Sequence, residues 1–466
     1  MPSVQPPLPP DSNFGAPATR ASGVRADARA ILRLGLPLLV ANLAVAGMSL
    51  ADTVMSGQLG ADALAAVAVG SSYYSVFLVI GLGTMTALSP LVAHAYGGGH
   101  MDLVGGYARQ GAWIGVGLAV LLLLGLAVVR PVLTLIGIDP RVVPEAVGYV
   151  HAIAAGIPGL LGFQALRAVS EGLGRTRPMM TVALAGLAAN IFGNWIFMYG
   201  HFGMPALGAV GTGVATALVQ WIMFGFMLLH VLRHRVYRPY ALFGRRERPD
   251  RGRIREILAL GIPIGGSMVA ESALFSAAGL MMGTLGETTV AAHQIALNYA
   301  AFMFMVPVSM HSATTIHVGH ALGRGARIDA RRAGFVGIGL CALLMVGSAL
   351  ALSVANDAIA AMYTHDLPVR SLAARLLLLA GVFQVSDGLQ VGAMGALRGF
   401  KDARWPLGIT ICSYWAVGFP LAFWGGIVQG GGPVSVWWGL IAGLTVSAVL
   451  LNLRYLVVSR RLAVAA

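Results

Sequence analysis

Twelve long apolar segments follow one another along the chain, separated by short polar loops. They fall at about residues 31–56, 65–93, 110–129, 143–168, 178–199 and 207–232, and then at about 257–283, 289–322, 333–356, 370–397, 405–427 and 433–457. Most have at least the ~20 residues that a helix needs to cross a bilayer. The pattern predicts an all-α integral membrane protein with twelve transmembrane helices.

The composition supports this fold class. Hydrophobic residues make up 57% of the chain and charged residues 11%, whereas a soluble protein carries about 25% charged residues. The net charge of +13 comes almost entirely from Arg in the short loops, so it indicates topology and not a nucleic-acid partner. Both cysteines, Cys341 and Cys412, lie inside apolar segments. We therefore expect neither a disulfide framework nor a Cys-ligated metal.

A polar break divides the segments into two sets of six. Residues 233–255 hold nine Arg and two Pro, and we expect residues 233–256 to be a basic cytoplasmic linker. Residues 1–30, rich in Pro, Ser and Ala near the start, are predicted to form a disordered cytoplasmic tail. The two predicted lobes are residues 31–232 and 257–460.

The distribution of Lys and Arg predicts the orientation. If the N-terminus is cytoplasmic, the outside loops keep only Arg130, Arg141 and Arg370, and the other loop cations, Arg398 among them, lie inside. Cytoplasmic loops of membrane proteins carry an excess of Lys and Arg. We therefore predict that both termini are cytoplasmic.

The two halves are an internal repeat. A shift of 226 residues aligns Ile31–Pro37 with Ile257–Pro263 and pairs His94 with His320, and a shift of 227 pairs Gly172 with Gly399. Six spans per repeat give both halves the same orientation, so the pseudo-twofold axis should run along the membrane normal. The equivalent His94 and His320 are expected to be structural.

Three acids depart from the repeat. Glu271 aligns with Val45 and Asp52 with Ala278, while Asp387 lies within the tenth segment. A charged residue at the centre of a membrane helix costs ~2.5–3.5 kcal/mol by insertion scales, so such residues face protein or water and are functional candidates. Glu271 and Asp387 are expected near the middle of the membrane, where they could share a proton or bind a cation. The alternative is a buried structural acid.

Three uncharged polar residues accompany Asp52 in the first half. Asn190 and Asn194 are four residues apart and share one helix face, and Thr216 lies in the next segment. With Asp52 they offer the oxygen ligands that Na⁺ or a relayed proton needs. The alternative is polar packing between helices, which is common in membranes.

Several motifs carry a family resemblance. Ala51–Gly57, Ala291–Asn298, Val385–Val391 and Leu397–Asp402 resemble the multidrug and toxic compound extrusion (MATE) family, most closely its NorM-like bacterial branch. The resemblance covers residues 31–461. It implies two six-helix lobes and export of cationic, amphipathic drugs in exchange for Na⁺ or H⁺.

The resemblance also implies roles for individual residues. It places the cation-coupling acids of the C-terminal lobe on Glu271 and Asp387, with Na⁺ as a candidate ion there, and that of the N-terminal lobe on Asp52. Asn190, Asn194 and Thr216 match polar positions lining the N-lobe cavity. Phe383 stands where relatives can carry Tyr, which removes a hydroxyl ligand and leaves both Na⁺ and H⁺ open.

The resemblance further implies a monomer in the bacterial inner membrane. Its partners would be lipids and small drugs, without nucleic acid or an organic cofactor. Two other functions remain open. A lipid-linked oligosaccharide flippase would need a cationic cavity, for which only Arg167 and Arg375 are available in the segments. A membrane enzyme would need a catalytic cluster at the membrane surface, and the sequence shows none.

Overall fold

The computed structural model describes residues 23–244 and 247–464. Eleven helices are long and apolar enough to cross a membrane, and a bent pair completes the predicted twelve. We number these spans α1 to α12. In the first half they are Val24–Gln58, Ala61–Gly97, Met101–Ala127, Val143–Ala154 with Ile157–Gly172, Arg177–Tyr199 and Ala209–Arg233. In the second half they are Arg251–Thr284, Glu287–Gly323, Arg327–Tyr363, Leu367–Gly399, Arg404–Val428 and Gly432–Arg461.

The bend in α4 has a local cause. Its two parts meet at 43°, and Pro158 occupies the first turn of the second part, where proline is tolerated because its N–H would have no helical partner. Gly156 at the bend lies against α6: a Cβ there would come within 2.7 Å of the Ala217 Cα. The bend therefore lets α4 pack closely on α6.

The first helix of each half crosses into the other half. Ile31 and Leu34 of α1 pack with Met310, Ala313 and Ile316 of α8. Equivalently, Ile257, Leu260 and Ile264 of α7 belong to the hydrophobic core of the first half. The two crossings obey the internal repeat, so equivalent helices make equivalent contacts.

We call the end of the molecule that carries residues 233–250 the linker end. A short 3₁₀ helix, Arg235–Tyr240, follows α6 there, and the next residues lie on α3, where Arg109 donates a hydrogen bond to the Ala241 carbonyl. A Cβ on Gly105 would come within 2.1 Å of the Tyr240 carbonyl oxygen. The first part of the predicted linker is therefore fixed to the first half. The predicted end of the linker at residue 256 was too late, because helix α7 begins at Arg251.

The boundary predicted for the N-terminal tail was too late. Helix α1 begins at Val24, so residues 24–30, expected in the tail, are helical; residues 1–22 lie outside the described residues. Asp27 in the first turn explains the earlier start, because its carboxylate is 2.6 Å from Arg332 of α9 and 2.9 Å from His317 of α8. This ion-pair network holds the first turn of α1 in place.

Candidate functional site

The four polar residues of the first half meet in one pocket. The Asn190 and Asn194 amides donate to one Asp52 carboxylate oxygen at 3.0 and 2.6 Å. The Thr216 hydroxyl donates to the other oxygen at 3.3 Å. Three helices, α1, α5 and α6, supply these groups. The structure thus brings together the four residues that the sequence singled out in the first half.

Burial explains why the side chains of this pocket are hydrogen-bonded to one another. Asn190 and Asn194 are fully buried, and buried amides need hydrogen-bond partners. Gly193, between them, allows α6 to approach, since a Cβ there would lie 3.2 Å from the Ala215 Cβ. One acceptor stays free: the Asn194 side-chain oxygen has no hydrogen-bond partner among the described residues.

The two acids of the second half have different surroundings. Asp387 on α10 is 3% exposed, and its Oδ1 atom has no hydrogen-bond partner within the described chain. Glu271 on α7 is half-buried. The two carboxylates interact electrostatically, and both act on the buried Tyr414 of α11. The structure therefore places the Glu271 and Asp387 charges in one electrostatic neighbourhood.

Further unpartnered polar atoms lie on the same helices. Within the parts of the chain that the structure describes, the Gln384 amide nitrogen, the Gln390 amide oxygen and the Ser413 hydroxyl are buried without partners. A buried polar group without a partner costs about 1–3 kcal/mol. Water or an ion is one kind of partner for such atoms in a native protein. The Gln390 and Ser413 oxygens suit Na⁺ or a hydrated proton, whereas the Gln384 nitrogen can only donate a hydrogen bond.

Helix α11 contributes a feature that sequence analysis missed. Its backbone is π-helical at Cys412–Gly418 and again at Trp424–Val428, and π-helical turns occur frequently at functional sites. Tyr414 lies in the first π-helical turn, fully buried, and its hydroxyl accepts a hydrogen bond from Gln390. Apolar periodicity does not distinguish α from π turns, so no signal in the sequence marks this residue.

Phe383 lies in an aromatic cluster. Its ring centroid is 5.8 Å from that of Phe275 and 5.9 Å from that of Trp437, and its side chain is 5% exposed. The position is therefore apolar on its observed sides.

Arg398 corrects a prediction of the sequence analysis. It was counted among the inside-loop cations, yet it is a half-buried residue inside α10. The His311 Nδ1–H group donates to the Val391 carbonyl, so the His311 Nε2 atom accepts from the Arg398 guanidinium at 2.9 Å. The Arg398 charge acts on Glu271. A cation thus belongs to the surroundings of the C-lobe acids.

The two cations predicted to intrude into the spans are less available. Arg167 pairs with Glu171 at 2.6 Å and donates to Asn42, and Arg375 is exposed. Glu171 is a further buried acid, 8% exposed, that the sequence analysis did not place at depth. No group of three or more His, Cys, Asp or Glu suited to a metal is found in residues 23–244 and 247–464.

Comparison with known proteins identifies the family. The family model MatE matches residues 37–196 and 263–424, one match in each half. The chain belongs to the MATE family. It is 39% identical over 454 residues to multidrug resistance protein PmpM of Pseudomonas aeruginosa, covering 96% of this chain and 94% of that protein.

Solved MATE structures share the fold. An outward-facing multidrug resistance MATE transporter matches with a TM-score of 0.87 at 20% identity, covering 95% of this chain and 99% of that one. The eukaryotic MATE transporter AtDTX14 matches with a TM-score of 0.84 at 19% identity, covering 94% and 98%. The predicted all-α fold with two six-helix lobes is thereby confirmed. The protein is a multi-pass membrane transporter of small molecules and not an enzyme.

Proposed function

We propose that this MATE protein is a secondary-active efflux antiporter that exports cationic, amphipathic compounds in exchange for Na⁺ or H⁺. The observation that carries the proposal is the acid pair inside the C-lobe, Glu271 with the buried Asp387, whose Oδ1 atom has no hydrogen-bond partner among the described residues. Similarity to a multidrug resistance protein over nearly the whole chain supports the same substrate class.

The acid pair explains exchange in simple electrostatic terms. A negative charge in a membrane interior must be balanced by a proton, a metal cation or a cationic substrate. The coupling ion and the drug therefore compete for the Glu271 and Asp387 charges. Each net positive charge that moves inward gains ~2.3 kcal/mol per 100 mV of membrane potential, which corresponds to about fiftyfold accumulation of an exported substrate. A one-for-one exchange with a monovalent cationic drug moves no net charge, and the concentration gradient of the ion drives it.

The donor groups suit either coupling ion. Na⁺ would be held by the Glu271 and Asp387 carboxylates with the Gln390 oxygen and the Tyr414 hydroxyl. A proton needs only the carboxylates, since a protonated carboxyl donates one hydrogen bond and the unpartnered Gln390 oxygen can accept one. In the N-lobe, Asp52 with Asn190, Asn194 and Thr216 forms a second polar pocket, for which we propose a role in the ion response.

The flippase alternative fits this site less well. A pyrophosphate-linked substrate needs free cations, yet Arg167 is paired with Glu171 and Arg398 is bound to His311 and near Glu271. In the described part of the C-lobe, two acids, Glu271 and Asp387, lie near one cation, Arg398. We also propose the inner membrane as the location, both termini in the cytoplasm, and a monomer as the working unit.

Transport measurements with separate ion gradients test the proposal. Purified protein in liposomes is given a fluorescent cationic drug, with either a Na⁺ gradient or a pH gradient at matched membrane potential. We expect drug movement against its gradient with one ion and none in protein-free liposomes or with Glu271→Gln. Equal movement without any ion gradient would overturn antiport.

A further inference from the structure

Two histidines connect the lobes at the linker end. The His94 Nε2–H group of α2 donates to the Gly399 carbonyl at the end of α10, 2.7 Å away. The His320 Nε2–H group of α8 donates to the Gly172 carbonyl at the end of α4, also 2.7 Å away. Each bond runs from a helix of one lobe to a helix end of the other.

The two hydrogen bonds are equivalent in the repeat. His94 and His320 are 226 residues apart, and Gly172 and Gly399 are 227 apart. The last carbonyls of a helix have no partner within it. In the described loops that follow α4 and α10, no backbone amide donates to the Gly172 or Gly399 carbonyl. The histidine of the opposite lobe supplies the donor in both cases.

Close backbone packing surrounds both histidines. A Cβ on Gly97 would lie 2.4 Å from the His320 carbonyl oxygen, and one on Gly323 would lie 2.3 Å from the His94 carbonyl oxygen. Gly319 also faces Ala93, with a Cβ-to-Cβ distance of 2.8 Å for an added Cβ. Helices α2 and α8 thus cross backbone to backbone, which leaves no passage between them at the linker end.

We propose that His94 and His320 are positioning residues of the transport cycle. Their two hydrogen bonds, which we call the histidine latch, hold the lobes together at the linker end and must break for the cavity to open there. The proposal rests on the proposed antiport, since only a transporter with alternating access needs this end to open. From the sequence, both residues were expected to be structural. The proposal adds a role in the transport cycle, because their bonds join separate lobes.

The latch is symmetric: each lobe supplies one histidine donor and one helix-end carbonyl. Each carbonyl left without its donor loses a net hydrogen bond, which shifts a two-state equilibrium by roughly two- to tenfold. Two independent bonds multiply their effects. We expect His94→Ala or His320→Ala alone to open the linker end severalfold more often, and both together by about the product.

Cysteine labelling measures the opening directly. Ser309 on α8 is fully buried and accepts a hydrogen bond from Asn42 of α1 at 3.1 Å, between the lobes. We would place Ser309→Cys in a chain whose Cys341 and Cys412 are replaced by alanine. A membrane-impermeant maleimide is then added from the side that carries the linker, in inside-out vesicles, without drug or ion gradient.

The latch predicts faster labelling in the alanine variants and a return toward the parental rate with His94→Gln and His320→Gln, since an amide can donate the same bond. His100→Ala is the matched control, because His100 is exposed at the same end of the molecule and should leave the rate unchanged. Parental labelling in a folded double alanine variant would overturn the proposal. If the double alanine variant melts early, the single and glutamine variants decide in the same way.

The labelling and transport measurements test the latch and the antiport independently. Unchanged labelling with normal drug efflux would remove the latch and leave antiport intact. Accelerated labelling in the variants, together with no cation-driven efflux by the parental protein, would show that the two bonds close this end and would overturn the proposed antiport.

Discussion

The two lobes consist of equivalent helices, but their acids have opposite hydrogen-bond surroundings. In the N-lobe, three side chains donate to the Asp52 carboxylate. In the C-lobe, the Asp387 Oδ1 atom is buried without a partner among the described residues. The repeat explains this difference, because the positions equivalent to Asp52 and Glu271 are Ala278 and Val45. The helices follow the symmetry of the repeat, whereas the acids do not.

The contrast separates a filled site from an open one. Hydrogen bonds to a carboxylate stabilise its charged form and hold its position, so Asp52 is supported without any ligand. A buried carboxylate without donors gains most from a bound proton or cation. The C-lobe therefore has more to gain from ion binding, and we expect the larger functional effects there.

The largest effect is expected from neutralising the C-lobe acids. Glu271→Gln and Asp387→Asn keep the shape of the side chain but cannot release a proton or balance a cation. Without the coupled ion, its gradient no longer drives the drug, and each ~1.4 kcal/mol of lost driving force lowers accumulation about tenfold. Efflux against a gradient, measured in liposomes at equal protein amounts, should fall to the passive level. Wild-type accumulation in both variants would contradict the comparison.

The N-lobe variants should show a smaller and graded effect. Asp52→Asn removes the only charge of its pocket, so it should reduce transport more than Asn190→Ala or Thr216→Ala. If Asp52 takes part in the ion response, Asp52→Asn should flatten the dependence of efflux on Na⁺ concentration or pH. Efflux titrated against each ion makes the measurement. An unchanged ion response with a lowered melting temperature would assign Asp52 to packing alone.

Asp52→Asn should lower the melting temperature, whereas Asp387→Asn should not. Asp52→Asn replaces an acceptor of three hydrogen bonds with an amide, and leaving buried donors unpaired costs about 1–3 kcal/mol. Asp387→Asn removes the charge of a buried carboxylate whose Oδ1 atom has no donor among the described residues, so it should be neutral or stabilising. Melting in detergent without Na⁺ makes the comparison, with Asn190→Ala as a second N-lobe variant. Equal losses for Asp52→Asn and Asp387→Asn would show that the two sites are alike.

The apolar pattern and the repeat predicted the fold because they are properties of many residues at once. Twelve apolar runs, each long enough to span the membrane, are compatible with few other folds. The bend in α4 lies inside one of these runs, and the apolar pattern did not reveal it. The grouping of Asp52 with Asn190, Asn194 and Thr216 was also predictable, since Asn190 and Asn194 share one helix face and polar side chains in membrane helices hydrogen-bond across helices. The conformation of single side chains was not.

Arg398 shows why the rest could not be predicted. Near a helix end, a long side chain can extend to either solvent or protein, and the sequence does not state which. Its direction is decided by His311, 87 residues away, which in turn is oriented by the Val391 carbonyl. The π-helical turn around Tyr414 and the carbonyl partners of His94 and His320 likewise depend on contacts between distant segments.

The smallest expected effect concerns the two helices that cross between the lobes. Asp27 of α1 pairs directly with Arg332 of the C-lobe. The position of α7 equivalent to Asp27 is Arg253, which pairs instead with Glu247 of the linker, and Glu247 in turn pairs with Arg109 of the N-lobe, both at 2.7 Å. The linker thus supplies the acid for the second crossing.

Glu247→Gln should weaken this second crossing at neutral pH. The Arg109 hydrogen bond, with the charges of Arg109 and Arg253, lowers the pKa of Glu247 below its usual value. A lowered folded-state pKa stabilises the fold above the unfolded value of about 4.3 and loses that contribution as pH falls through the folded value. Since the pair is partly exposed, the loss should stay below about 1 kcal/mol. Melting temperatures of the parent and Glu247→Gln should therefore differ at pH ~7 and converge below pH ~4. Glu287→Gln, an exposed acid at the start of α8, should show a smaller difference throughout, and a parent–variant gap that persists in acid would remove the ion pair as its cause.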